Sequence, residues 1–107
     1  GQQFLPENWL EFTTTVPPAF LKKRKDWDGK EVPGAHWWLN QVVPELNVKS
    51  PWPAAPADMY YAHGHWGQFI FVIPSLKTVV VRLGDTRDGS FSVDKFLQLS
   101  LNFIRNQ

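Results

Sequence analysis

The stretch AHGHWGQ, which spans residues 62–68, concentrates the side chains of this chain that could do chemistry. It combines two imidazoles, an indole and a carboxamide with two glycines: His63, Gly64, His65, Trp66, Gly67 and Gln68. Imidazole transfers protons and binds metals near neutral pH, and glycines at the start of a strand are typical of a bulge or of a close approach by a backbone or a ligand. The spacing allows two interpretations: a strand edge that faces a ligand, or a bulged strand whose polar side chains point into solvent.

A shared metal ion is a third interpretation of the two histidines. Side chains two residues apart on a strand point to the same side, so His63 and His65 could bind one ion together. The chain has no cysteine, and Asp58 and His36 are the only obvious further ligands. Because neither makes a convincing third ligand, we expect no metal and no cofactor here.

Two apolar runs follow and must position this stretch. Residues 69–73, FIFVI, and residues 78–83, TVVVRL, are rich in β-branched and aromatic side chains and are separated by the four residues 74–77. That length predicts a β-hairpin. Because neither run alternates clearly between apolar and polar residues, the pattern also predicts that both faces of the hairpin are covered.

The other elements complete an α+β domain. The C-terminal segment has apolar residues at helical spacing, with Ser92 as a suitable N-cap: Val93, Phe96, Leu97, Leu101 and Ile104. A short helix is predicted from Pro6 to a point before Thr13, and a strand over His36–Val43. Three prolines in residues 50–58 predict an irregular surface connection. The predicted fold is an antiparallel sheet whose core hairpin is covered by the C-terminal helix.

Composition limits the classes of function. At 107 residues, with 43% hydrophobic content, the chain is long and apolar enough for one folded domain or a fragment of one. Its net charge of +1 gives no reason to expect nucleic acid or a membrane surface as a partner, and no apolar run approaches the length of a membrane span. The charge run at residues 21–30 predicts a solvated turn around Asp28-Gly29. A first residue Gly1 in place of Met suggests a piece of a longer protein, although a tag remnant on a complete protein would look the same.

The order of motifs resembles one enzyme family. LPENWLEFTT, HWWLNQ and MYYAHGHWGQFIFVIPSLKTVVVRLGD, followed by a closing helix, are similar to the C-terminal quarter of the serine β-lactamase-like hydrolases. This family comprises class C β-lactamases, DD-peptidases and related esterases and amide hydrolases. The most specific part is Gly64-His65-x-Gly67-Gln68 followed by the turn at Ile73-Pro74. The resemblance covers nearly the whole of residues 1–107, and it implies the C-terminal portion of the β-lactamase-like fold and a periplasmic or cell-surface location.

The resemblance also implies roles for residues. The family uses Ser-x-x-Lys, Tyr-x-Asn or Ser-x-Asn, and Lys-Thr-Gly or a variant on a strand beside the substrate. Only the third element corresponds to a stretch here, Ala62–Gln68, with histidine in place of lysine. Either His63 or His65 takes that position, and the Gly-His-x-Gly-Gln pattern favours His65. Gly64 and Gly67 would let substrate approach the backbone, and Tyr61 and Trp66 would form a substrate wall.

The missing lysine and the missing nucleophile shape the expected activity. Without an ammonium group, the family member would favour ester or amide hydrolysis over binding a β-lactam or peptide carboxylate, or it would be an inactive relative. Ser92-Val93-Asp94-Lys95 matches Ser-x-x-Lys, but the family's catalytic serine precedes this whole region. We therefore expect Ser92 to be a helix cap and the chain to be inactive alone. Its partners would be the rest of the parent hydrolase and a small-molecule or peptide substrate, with self-association through an exposed sheet edge.

A stand-alone binding module is the alternative. Exposed aromatic side chains could stack on a glycan or a peptide, and six are candidates: Trp37, Trp38, Trp52, Tyr60, Tyr61 and Trp66. Adjacent Trp37 and Trp38 point to opposite faces of a strand, so at least one of them should lie in the core.

Overall fold

The computed structural model describes residues 1–22 and 31–107, so the turn predicted at Asp28-Gly29 lies outside the described residues. The α-helices of the described part are α1 (Trp9–Thr13), α2 (Pro18–Lys22) and α3 (Val93–Arg105). The strands are β1 (Val32–Pro33), β2 (Trp38–Leu39), β3 (Tyr60–Gly64), β4 (Gln68–Ile73) and β5 (Thr78–Arg82). They form one five-stranded antiparallel sheet in chain order. The predicted α+β class is confirmed.

The predicted core hairpin is the β4–β5 pair. Phe71 pairs with Val80 and Ile73 pairs with Thr78, so the two apolar runs align along their full length. A short 3-10 turn at Pro74–Leu76 joins them. The carboxylate of Asp58 accepts hydrogen bonds from the backbone N–H of Ser75 at 2.7 Å and from its hydroxyl at 2.9 Å. Asp58 therefore anchors this turn to the segment that precedes β3.

Helix α3 covers one face of the sheet. Its buried Leu97 and Leu101 join a core that alternate residues of β3 and β4 supply from the sheet: Tyr61, Phe69, Phe71 and Ile73. The predicted cap is confirmed, because the hydroxyl of Ser92 accepts a hydrogen bond from the backbone N–H of Lys95 at 3.3 Å. The amphipathic pattern thus placed the helix correctly. Among the described residues, no helix is long and apolar enough to cross a membrane.

The opposite face of the sheet contradicts the prediction that both faces are covered. Ile70, Val79 and Val81 are 41%, 58% and 54% exposed, and Ile70 pairs with Val81 across the two strands. We call these three residues the open face. The strands are apolar on both sides, but α3 lies against only one of them. Within the described part of the chain, β5 also has β4 as its only strand neighbour.

The first half of the chain departs from the predicted elements. The predicted strand His36–Val43 is reduced to β2, and Val43 instead bridges to Val48 within a second small core. Helix α1 begins at Trp9, later than predicted, because a tight turn places the N–H of Trp9 on the carbonyl of Pro6 at 3.0 Å. Helix α2 was not predicted. The double proline that suggests a stop instead begins the helix: Pro18 is its first residue, a position where proline is favoured.

The proline-rich connection is irregular, as predicted, but the side chain of Asn40 ties it to the interior. Asn40 is fully buried, and its amide N–H groups donate to the carbonyls of Trp52 at 3.0 Å, Ala55 at 3.2 Å and Pro56 at 3.0 Å. Its side-chain oxygen accepts from the N–H of Trp52 at 2.8 Å and the hydroxyl of Ser50 at 2.7 Å. A single amide therefore satisfies the polar backbone of a segment that forms no ladder.

We expect Asn40→Ala to lower the free energy of unfolding by about 3 kcal/mol or more, since each buried backbone group left without a partner costs about 1–3 kcal/mol. Urea denaturation followed by tryptophan fluorescence measures the change. Asn102→Ala is the matched control: Asn102 is exposed on α3, and its loss should change stability by less than about 0.5 kcal/mol. Equal, small effects of the two substitutions would contradict the anchoring role of Asn40.

Candidate functional site

The stretch predicted as one strand is a tight hairpin. Strand β3 ends at Gly64, which pairs with Gln68 at the start of β4. Between them Trp66 and Gly67 adopt left-handed backbone conformations, with φ of 60° and 86°, which reverses the chain. His65 consequently lies in the turn and does not share a strand face with His63, so the prediction that the two imidazoles point the same way is wrong.

Arg82 of β5 holds this turn in place. Its guanidinium donates to the carbonyl of Gly67 at 2.6 Å and to the hydroxyl of Thr86 at 2.7 Å, and it lies 3.9 Å from the centre of the Phe91 ring. The N–H of Thr86 donates to the carbonyl of Trp66 at 3.0 Å. Sequence reasoning missed Arg82, although a single cation at the end of the apolar run TVVVRL is the signal that points to it.

Gln68 and the two glycines of the motif have structural roles in the hairpin. The carboxamide oxygen of Gln68 accepts from the N–H of Gly84 at 3.0 Å, while its NH₂ donates to the carbonyl of Gly84. A side chain at Gly64 would come within 3.0 Å of the Gln68 Cβ. One at Gly67 would meet the Arg82 guanidinium. These contacts account for the residue types without a ligand.

A carboxylate, an imidazole and a phenol meet on the covered side of β3. His63 Nδ1 lies 3.1 Å from Glu31 Oε1, and the same oxygen accepts a long hydrogen bond of 3.4 Å from the hydroxyl of Tyr61. The imidazole stacks on Phe69, with ring centres 4.3 Å apart and planes 11° apart. The side chain of His63 remains 40% exposed. Glu31 was not among the predicted site residues, because no local pattern relates it to a strand that begins 29 residues later.

The surroundings of Tyr61 keep its hydroxyl protonated. Burial raises the pKa of Tyr61 well above its ordinary value, and the negative charge of Glu31 raises it further. The phenol is therefore a hydrogen-bond donor to Glu31. The resemblance implied that Tyr61 lines a substrate wall. Because Tyr61 is fully buried, it does not line an exposed wall in this structure. Trp66, its predicted counterpart, is 44% exposed and lies under the guanidinium of Arg87 at 4.0 Å.

The residues proposed for a metal site do not come together. The Asp58 carboxylate is bonded to Ser75, the His36 ring stacks against Trp9 at 5.9 Å, and the His65 ring lies 4.8 Å from that of Trp66. Within residues 1–22 and 31–107, no three His, Cys, Asp or Glu side chains form a group that could hold a metal ion.

Two serine motifs fall on or beside α3. Ser92 is the N-cap, and its hydroxyl is bonded to the backbone of that helix. A Ser-x-Asn spacing that we did not predict also occurs, at Ser100-Leu101-Asn102, but residues two apart on a helix point in nearly opposite directions, and Leu101 between them is buried in the core. Neither motif assembles a nucleophile with a base.

Comparison with protein-family models, with curated proteins and with solved structures finds no match for this chain. The features of the chain that bear on function are therefore the hairpin and the contacts of Glu31, His63 and Tyr61.

We expect Tyr61→Phe to flatten the alkaline part of the stability profile. Below about pH 10 both folded and unfolded chains carry the tyrosine proton, so the raised pKa of Tyr61 has no effect there. Above that pH the unfolded chain loses the proton while the folded chain retains it, so stability falls by up to about 1.4 kcal/mol per pH unit. Urea denaturation at about pH 9 to 11 measures this slope.

Tyr60→Phe is the control for that experiment, since Tyr60 is only half-buried and lies on the other face of β3. The Tyr60→Phe chain should show the same loss of stability at alkaline pH as the wild-type chain. Identical slopes for the wild-type and Tyr61→Phe chains would show that burial of the Tyr61 hydroxyl does not control alkaline stability.

Proposed function

We propose that this chain is the C-terminal portion of a β-lactamase-related serine hydrolase that acts on esters or amides. In this proposal the β3–β4 hairpin lies beside the substrate, where the family has Lys-Thr-Gly, and the nucleophilic serine lies outside residues 1–107. The rest of the parent hydrolase is then the main partner of the chain.

The open face is the observation that carries the proposal. Ile70, Val79 and Val81 are exposed in neighbouring strands, and contiguous apolar patches on soluble proteins mark surfaces that another element covers. Within the described residues, the adjacent edge of β5 has no strand partner, and such an edge readily accepts another strand. A domain whose remaining helices and strands cover this face and this edge would explain why the sequence is apolar on both sides of the hairpin.

The chemistry of the hairpin also supports the proposal. His63 offers an imidazole at the end of β3, where a lysine of the family would offer an ammonium, and imidazole suits an uncharged ester or amide better than a carboxylate. The hydroxyl of Ser92 is engaged as a cap, which agrees with a nucleophile from elsewhere. Arg82 fixes the turn through the carbonyl of Gly67, so the hairpin is a rigid surface.

The test compares the chain with the protein encoded by its complete gene. The 107-residue chain should hydrolyse neither p-nitrophenyl butyrate nor nitrocefin above the buffer rate. The complete protein should contain Ser-x-x-Lys and a Tyr-x-Asn type element within a domain of about 200–350 residues, and it should hydrolyse the ester until that serine is replaced by alanine. Turnover by the chain alone that disappears in Ser92→Ala would overturn the proposal.

A complete gene without such a serine would instead favour the aromatic binding module. Five of its six candidate side chains pack against the two cores: Trp37, Trp38, Trp52, Tyr60 and Tyr61. That function would depend on Trp66, so saturable quenching of tryptophan fluorescence by a glycan or peptide should then disappear in Trp66→Ala.

We also expect the isolated chain to self-associate through the open face and the β5 edge. Val81→Lys places a charge on this surface and should shift the chain towards monomer in sedimentation velocity at high concentration, since charged residues on edge strands prevent pairing. Leu99→Lys is the control, because Leu99 is 62% exposed but lies on α3. A wild-type chain that stays monomeric at every concentration would contradict this expectation.

A further inference from the structure

We propose that Glu31 is the positioning residue of His63. In this inference, which rests on the proposed function, the carboxylate holds the imidazole as its Nδ1–H tautomer and leaves Nε2 to accept a hydrogen bond from the substrate. His63, rather than His65, is then the histidine that contacts the reacting group.

The tautomer follows from the chemistry of the two partners. An ionised carboxylate accepts hydrogen bonds and donates none, so the ring nitrogen that faces it must carry a proton. The facing atom is Nδ1, at 3.1 Å from Glu31 Oε1. In the neutral imidazole the lone pair is therefore on Nε2. Within the described part of the chain, Nε2 of His63 has no hydrogen-bond partner. The side chain is 40% exposed, so a substrate can reach this atom.

Two contacts fix the ring in this orientation, and a third restrains Glu31. Glu31 holds one edge of the imidazole, and Phe69 covers one face with planes only 11° apart. The backbone of His63 pairs with that of Phe69 inside the sheet, so the contact does not depend on a loop. The Tyr61 hydroxyl, bonded to the same oxygen of Glu31 at 3.4 Å, restrains the carboxylate in turn.

His65 lacks these restraints. It lies in the turn beside Trp66, whose ring is 4.8 Å away, and the described residues offer its imidazole no hydrogen bond. A ring without a polar partner is not fixed in one tautomer. The Gly-His-x-Gly-Gln pattern, which favours His65, therefore identifies the turn. The contacts that fix the orientation and the tautomer of an imidazole are those of His63.

The same contacts limit the substrate. A hydroxyl or an amide N–H can donate to the lone pair on Nε2, whereas an ionised carboxylate has no proton to donate. The substrate group that meets His63 is accordingly an uncharged donor. This agrees with hydrolysis of neutral amides, or of esters that carry a hydroxyl group.

The first arm of the test measures the tautomer directly. Long-range ¹H–¹⁵N correlation spectra of the labelled chain, at roughly two pH units above the ordinary histidine pKa, should show His63 as the Nδ1–H form. Glu31→Ala should convert His63 to mainly the Nε2–H form, which the free histidine side chain prefers in water. Glu45→Ala, at an exposed carboxylate, should leave the tautomer unchanged. A wild-type His63 in the Nε2–H form overturns the inference, even if Glu31→Ala fails to fold.

The second arm uses the complete protein and an amide substrate, whose N–H can donate to Nε2. Glu31→Ala should lower kcat for butyryl p-nitroanilide at least about tenfold with a smaller change in KM, while Glu45→Ala should retain the wild-type rate. Unchanged kcat in Glu31→Ala would overturn the positioning role. Absence of any hydrolysis by the complete protein would overturn the proposed function. The NMR measurement of the His63 tautomer would still test, separately, whether Glu31 orients His63.

Discussion

The pairing of β3 with β4 determines both the core and the candidate site. It places Tyr61 opposite Phe71 and His63 opposite Phe69, and the alternation of the strand turns all four side chains towards the face that α3 covers. The stacked rings of Phe69 and Phe71, 5.1 Å apart, continue into the imidazole of His63 at 4.3 Å. A slip of one residue in this register would move the core and the histidine to the other face together. Packing and chemistry therefore share one row of side chains.

Two polar connections keep the rest of the chain around this row. Asn40 satisfies the backbone of the proline-rich segment that leads into β3, so a connection without regular structure still has a defined course. Glu31 stands directly before β1 and reaches Tyr61 and His63 across the sheet. The short strands β1 and β2 form few backbone hydrogen bonds, but their position beside β3 in the sheet brings the Glu31 carboxylate close to Tyr61 and His63.

The local sequence predicted those elements whose own residues carry a clear signal, and it did not predict features that depend on distant residues. Strands β4 and β5 were predictable from their β-branched and aromatic composition and from the short segment between them, α3 was predictable from its helical spacing, and Ser92 was predictable as a cap. The turn after Gly64 was not, since one of its left-handed residues is Trp66, which has no preference for that conformation. Glu31 and Arg82 were missed because their roles arise only when the sheet is assembled. The open face was missed because a run that is apolar on both sides does not say what covers each side.

We propose, as the central point, that the β3–β4 hairpin serves a serine nucleophile supplied by the rest of a parent protein. Labelling the complete protein with a fluorophosphonate that reacts with active-site serines, followed by peptide mapping, tests it most directly. The account predicts one labelled serine that precedes Gly1 in the complete sequence. A label on Ser92, or no labelled serine in a folded protein, would contradict it.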